Sequence, residues 1–381
     1  MDYDLSPSQK LIQESARSFV ARESPLPRVR EVVDGGAFDV DLWQSMADQG
    51  WIGLHLPEQV GGLDLTVIEL AVVAEQLGEG CVPGPFLSTN WAATLLAACS
   101  NEEVARRYVP KMTVGSLKAA VALLGEDLNW KEPAAGLRIE ASGNGYRLDG
   151  KKVMVMDAGI ADMIVCVAAK ESQPVVVTVP ADTDGLAIEA TPGMDATRPL
   201  SELRFDGVQV ASAQVAAEGD EARQAIRRAN QVAATLAAAE LCGAVQWMLD
   251  TTVEYAKTRK QFDQVIGSFQ AVQHQCADML LLTESSRSAV YYAAWALSEN
   301  DPAADAAVSI AKAYCSDAGR EVGNHAVQCH GGIGFTWEHD LHFFYKRVKA
   351  AEYLLGDATH HREELANLVL DEARDTDGKL N

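Results

Sequence analysis

The sequence predicts a mainly helical α+β protein: an N-terminal helical domain (1–116), a small middle β-barrel (117–218) and a C-terminal four-helix bundle (219–381). Three observations carry this. Apolar residues recur at helical spacing over the first hundred positions, the period shifts to two from about residue 118, and long Ala-rich stretches with few prolines follow Gly219.

In the first part, Ser6-Pro7-Ser8-Gln9 has the form of a capping box with proline at the first helical position, followed by apolar Leu11, Ile12, Phe19 and Val20. Further helical patterns at 40–50, 66–79 and 85–99 are separated by Gly and Pro punctuation, notably Pro57, Gly61-Gly62, Gly78, Gly80, Pro83 and Pro85. In the second part, alternating Leu137-Arg-Ile139-Glu-Ala141 meets the turn residues Ser142-Gly-Asn-Gly145. Short strands follow at 146–156, 164–167, 175–179, 186–188 and 203–205, as in a small sandwich or barrel. In the third part, helices are expected over 221–258, 268–299, 302–327 and 338–369. Irregular links fall at 261–267 and 331–334, and a frayed tail at 371–381.

Composition narrows the function classes. The 381 residues are 48% hydrophobic and carry a formal net charge of −22, which opposes binding to nucleic acid at long range. No uninterrupted apolar run has the length of a membrane span, and the start MDYDLSPSQK lacks the basic and apolar regions of a leader, so a cytoplasmic location is expected. Seven scattered cysteines without a C-x-x-C pair indicate reduced thiols and no metal site.

Three segments point further. Arg259-Lys-Gln-Phe262-Asp-Gln-Val-Ile266-Gly-Ser-Phe269-Gln270-Ala-Val-Gln-His274-Gln-Cys-Ala277-Asp278-Met279 closely resembles the R-x-x-F-G-x-x-I-x-x-F-Q-x-x-x-H-x-x-A-D-M signature of acyl-CoA dehydrogenases. Gln328-Cys-His-Gly331-Gly332-Ile-Gly334-Phe335 is similar to that family's Q-x-x-G-G-x-G-[FY] loop, and Leu56-Pro57-Glu-Gln-Val-Gly61-Gly62-Leu-Asp-Leu65 to its P-E-x-x-G-G-x-G-L loop. The resemblance implies FAD as cofactor, an acyl-CoA substrate, an electron-transfer flavoprotein as electron acceptor and a tetrameric assembly. It also implies that Arg259, Phe262, Gln270, Gln328, Gly331 and Gly332 touch the ADP half of a flavin held mainly by a neighbouring subunit. Their chemistry suits such contacts, since guanidinium is a planar fork for pyrophosphate and glycine lets a dinucleotide approach the backbone.

The sequence also departs from the family. The family's base is usually a Glu in Y-E-G near the last helix, and Gly356 stands at the matching position here. The alternative base position, on the first bundle helix, falls at Ala233. Glu240, two helical turns further on the same face of an otherwise apolar run, is a candidate base or a structural carboxylate, and Asp357 is a weaker candidate. The T-E-P-x-A-G-S-D and W-I-T runs that hold the flavin ring are replaced by Leu123-Leu-Gly-Glu-Asp127 and Val153-Met-Val-Met156. Two losses in one chain raise an alternative to an active homotetramer: a non-catalytic partner in an α2β2 dehydrogenase, similar to those of bacterial steroid side-chain degradation. A flavin oxidase or monooxygenase on this scaffold is a third possibility. Elsewhere, His360-His361 reads as a solvated helix end and Trp337 as core. The Lys346, Arg347 and Lys349 cluster serves either a CoA phosphate or acidic neighbours.

Overall fold

The computed structural model describes residues 4–36 and 38–377, with side chains described as far as 370. The helices before the sheet are α1 (Pro7–Glu23), α2 (Leu26–Gly35), α3 (Val40–Asp48), α4 (Val67–Glu79), α5 (Phe86–Ala97) and α6 (Glu102–Thr113). The strands are β1 (Ala119–Ala122), β2 (Leu137–Ser142), β3 (Gly145–Met156), β4 (Met163–Lys170), β5 (Gln173–Pro180), β6 (Leu186–Thr191), β7 (Leu200–Ala211) and β8 (Val215–Glu218). Then come α7 (Gly219–Thr258), a ribbon of β9 (Lys260–Gln261) and β10 (Gln264–Val265), α8 (Gln270–Ser298), α9 (Ala304–His330), α10 (Leu341–Ala351) and α11 (Ala358–Asp377).

By contacts the chain resolves into two compact units that do not follow chain order. One comprises residues up to Val29, Val67–Val82 and from Ala234 onward; the other comprises Arg30–Thr66 and Pro83–Ala233. The division falls within α7, and α1 and α4 group with the C-terminal helices.

In the first unit, α1 begins at the capping box that its sequence dictates: Ser6 Oγ accepts from Gln9 N at 3.2 Å and Gln9 Oε1 accepts from Ser6 N at 2.9 Å. α4 and α7 cross at backbone distance. A Cβ on Gly78 would lie 2.1 Å from Glu240 O, and one on Gly243 would lie 1.8 Å from Glu75 O. Any side chain at either glycine would force these helices apart. The expected fourth bundle helix is broken in two around 352–357, where Leu355 (φ 59°) and Gly356 (φ 96°) are left-handed. The end expected to fray continues α11 in its backbone to Asp377, and 378–381 lie outside the described residues.

In the second unit, the strands form one eight-stranded sheet in the order β6-β7-β3-β2-β4-β5-β8, with β1 pairing parallel to β4. Leu137 and Ile139 on β2, Leu203 and Phe205 on β7, and Val175, Val177 and Val179 on β5 alternate into one apolar cluster. The period-two reading of the sequence rests on this cluster. The short β1 and β8, with β1 buried throughout, carry no such alternation and escaped it.

α7 is long and apolar enough to cross a membrane by length and composition, but 89% of its apolar window is buried inside the protein, the pattern of a core helix.

Candidate functional site

The site lies in the first unit, where the end of α7, the β9–β10 ribbon, the start of α8 and the end of α9 converge. Gln261 pairs with Gln264, which leaves Phe262 and Asp263 as a two-residue hairpin loop with φ of 53° and 63°. Such a loop requires left-handed residues, and Asp263 stands where the family pattern has glycine. The turn thrusts Phe262 outward, 86% exposed, with its ring edge-on to Phe269 at 6.1 Å. Gly267 lets the ribbon fold back on α7, since a Cβ there would sit 2.9 Å from Ala256 O. Arg259 opens the ribbon, and its exposed guanidinium makes no hydrogen bond or ion pair among the described residues.

α9 ends at Gly331, whose φ of 63° and ψ of −138° only glycine adopts readily. Nothing lies within 4 Å of a Cβ placed on Gly331 or Gly332, so the backbone there is open to approach. Two contacts bring this end onto the ribbon segment. The His330 ring stacks on Tyr255 at 4.5 Å, and Cys329 Sγ donates to Gln275 Oε1 at 2.9 Å. The six residues expected to touch a nucleotide (Arg259, Phe262, Gln270, Gln328, Gly331 and Gly332) are all exposed on these adjoining segments. Burial holds His330 below the usual imidazole range, so it stays neutral beneath them.

The candidate bases are elsewhere. Glu240 is 4% exposed at the tight crossing of α4 and α7. Beside it, Glu75 accepts from Arg287 Nε at 2.9 Å and from Tyr291 Oη at 2.6 Å, a buried network that the sequence did not disclose. Asp357 caps α11, its Oδ1 accepting from His360 N at 2.8 Å. The loop before it is closed from below. Buried Lys312 donates to Glu352 O at 3.1 Å, Gly356 O at 2.9 Å and Ser316 Oγ at 3.1 Å. Burial lowers its pKa to about 8.

His361 is buried rather than solvated, correcting the sequence reading. Its Nε2 bonds Leu355 O at 3.0 Å, and burial, with the Lys312 charge adding to it, holds its pKa at about 3. A lysine alone in the apolar run Ile310-Ala-Lys312-Ala was the available signal for this arrangement. Lys346 lies 3.7 Å over the Trp337 ring, Arg347 donates to Val82 O at 3.1 Å, and Lys349 pairs with Glu352 at 2.7 Å. That cluster is thus engaged within the chain. Trp337 itself is 68% exposed, not core.

In the second unit, the stretch that replaces the ring-binding run is tied to Lys152. All three ammonium protons have backbone acceptors, Leu123 O at 2.8 Å and Pro133 O and Ala135 O at 2.7 Å. Leu123 and Leu124 are buried, so no hydroxyl faces outward at these two positions. The residues present therefore fit the adenine end of a flavin nucleotide, through a bare guanidinium and open glycines, and do not fit its ring in the family's manner.

Comparison with known proteins gives a consistent picture. Residues 6–116 match the model of the acyl-CoA dehydrogenase N-terminal domain, and 222–370 that of the C-terminal domain. Acyl-CoA dehydrogenase FadE27 of Mycobacterium tuberculosis is 32% identical over 332 residues, 84% of this chain and 86% of its own length. The solved ChsE4-ChsE5 complex of Mycobacterium tuberculosis matches at TM-score 0.89 and 28% identity, over 97% of this chain and 99% of that one. PigA, solved with FAD and proline, matches at TM-score 0.89 and 25% identity, over 97% and 99%.

Proposed function

The chain belongs to the acyl-CoA dehydrogenase family, and from that membership we propose that it takes part in FAD-dependent α,β-dehydrogenation of an acyl-CoA thioester as one subunit of a heteromeric, cytoplasmic enzyme. The observation that carries this reading is the meeting of segments 259–279 and 328–341 on one exposed face, linked by Tyr255–His330 and Gln275–Cys329. In it, Arg259 would offer a planar fork to the pyrophosphate, and Phe262, Gln270, Gln328 and the Gly331-Gly332 backbone would contact the ADP half of a flavin whose ring a related chain would hold. A bound FAD would supply the hydride acceptor for this dehydrogenation, with an electron-transfer flavoprotein as the proposed electron acceptor. A two-chain assembly among the structural neighbours supports the heteromer over a homotetramer.

A second reading is favoured by the base loop: the chain is a non-catalytic partner. Gly356 offers no carboxylate, and Asp357 is committed to capping α11. If the chain does supply the base, Glu240 is the carboxylate in an apolar helix that remains. The test is purification alone and after co-expression with a related dehydrogenase chain, reading flavin absorbance and acyl-CoA-dependent dye reduction. Flavin and activity only in the co-expressed form support the subunit reading, and a full flavin complement in the lone chain sinks it. Full activity of a co-expressed Glu240→Gln form removes Glu240 as base and leaves the non-catalytic role.

A further inference from the structure

Among seven free cysteines, Cys81, Cys99, Cys166, Cys242 and Cys315 are buried, whereas Cys276 and Cys329 are half-buried. These two stand on facing helices. On α8, Cys276 heads a seam at three-four spacing that continues through buried Met279, Thr283, Ser286 and Val290. On α9, buried Cys315, Gly319, Val322 and Ala326 lead at the same spacing to Cys329. Cys315 Sγ lies 3.8 Å from Ser286 O and Cys329 Sγ lies 2.9 Å from Gln275 Oε1, so the helices run antiparallel and the two thiols arrive at the same end of the seam. There Cys276 directly follows Gln275, whose Oε1 accepts from Cys329 Sγ at 2.9 Å, and each thiol influences the other's titration.

We infer that Cys276 and Cys329 are a site of reversible oxidation, closing to a disulfide that staples α8 to α9 when the protein meets a peroxide. The Cys276 thiolate attacks one oxygen of hydrogen peroxide, breaking the O–O bond and forming a sulfenic acid with release of hydroxide. Cys329 sulfur then displaces the sulfenic oxygen as water, forming the S–S bond. Two thiols and one peroxide give one disulfide and two waters, the two electrons passing from sulfur to oxygen. Cys276 is the attacking thiol because burial raises both thiols, but the neighbouring Cys329 pulls Cys276 partly back, while Cys329 is held at about 11. Both thiols are protonated at neutral pH, so closure is slow there and quickens about tenfold per pH unit until Cys276 ionises. The staple would join residues adjacent to Gln275 and Gln328, at the floor of the exposed face, whether or not that face holds a flavin.

The test uses the full chain, flavin-free, treated with hydrogen peroxide at pH 7 and pH 8, alkylated with iodoacetamide, digested and analysed by mass spectrometry. A Cys276–Cys329 cross-linked peptide that forms about tenfold faster at pH 8 and is lost on treatment with dithiothreitol is the expected result. Both thiols recovered alkylated, either sulfur carried to a sulfinic acid without the link, or a link to another cysteine would overturn it. Cys276→Ser and Cys329→Ser forms, checked for folding by circular dichroism, should each lose the link. Because the unmodified chain gives the primary readout, a variant that fails to fold does not rescue the idea.

Discussion

The two ends of α9 are built on opposite principles. Near its start, Lys312 and buried His361 satisfy the carbonyls of the loop where the family keeps its base, and Asp357 caps the helix that follows. At its finish, Gly331 and Gly332 face open space, the Phe262 ring is exposed, and the exposed Arg259 guanidinium makes no hydrogen bond or ion pair among the described residues. A closed end whose polar groups are matched inside the chain is an architectural element. An end that leaves a guanidinium and a phenyl ring in water is a surface, and it is the face to which the proposed function assigns the nucleotide. The difference teaches that the two ends of one helix can be closed and open independently, because different sequence segments build them.

The comparison can be broken at its closed end first. Lys312→Met leaves the Glu352 and Gly356 carbonyls buried without a donor, and urea unfolding should show a loss of about 4 kcal/mol. Gly356→Ala comes next: φ is 96° and the new methyl would lie 2.4 Å from His360 Cδ2, so about 2 to 3 kcal/mol is expected in the same assay. Acid should then erode the same end. His361 and, in the other unit, His55 are held neutral by burial at about 3 and about 4, below the ordinary 6.5. The unfolded chain binds their protons first, so stability is full above pH 6.5 and falls as pH drops, by about 1.4 kcal/mol per histidine per pH unit until each folded pKa is reached. Thermal melts between pH 7.5 and 5 that show no loss would refute this, and His361→Gln should flatten the slope.

The open end should respond least. Gly331→Ala costs about 1 kcal/mol for its left-handed φ alone. Arg259→Ala changes stability by less than about 0.5 kcal/mol. In a co-expressed assembly, however, the same Arg259→Ala change should cut flavin retention at least tenfold. Unchanged retention would show that this face grips nothing through Arg259.

Much of this was legible in the chain itself. The Ser6–Gln9 capping box, the sheet's alternating strands and the exposed residues of segments 259–279 and 328–341 follow from local pattern, because caps and amphipathic faces are written in near neighbours. What escaped depends on groups far apart in sequence. A lone lysine in an apolar run hints at a buried ammonium, but nothing local names the carbonyl forty-four residues away that Lys312 serves, or marks His361 as buried. The broken fourth helix escaped too: Tyr353-Leu-Leu355 continues an apolar helical pattern, and the loop that interrupts it is held by distant Lys312 and by His361 through its carbonyls. The half-buried neighbours Cys276 and Cys329, 53 positions apart, looked like scattered thiols.

The outward aromatics have a practical corollary for anyone handling the protein. Phe262, Phe335 and Trp337 stand 86%, 80% and 68% in solvent, a surface that invites adhesion, while 54 acidic against 32 basic side chains push like molecules apart. Colloidal behaviour therefore hangs on ionic strength: dilute buffer keeps the lone chain dispersed, and raised salt screens the repulsion and lets the rings find one another.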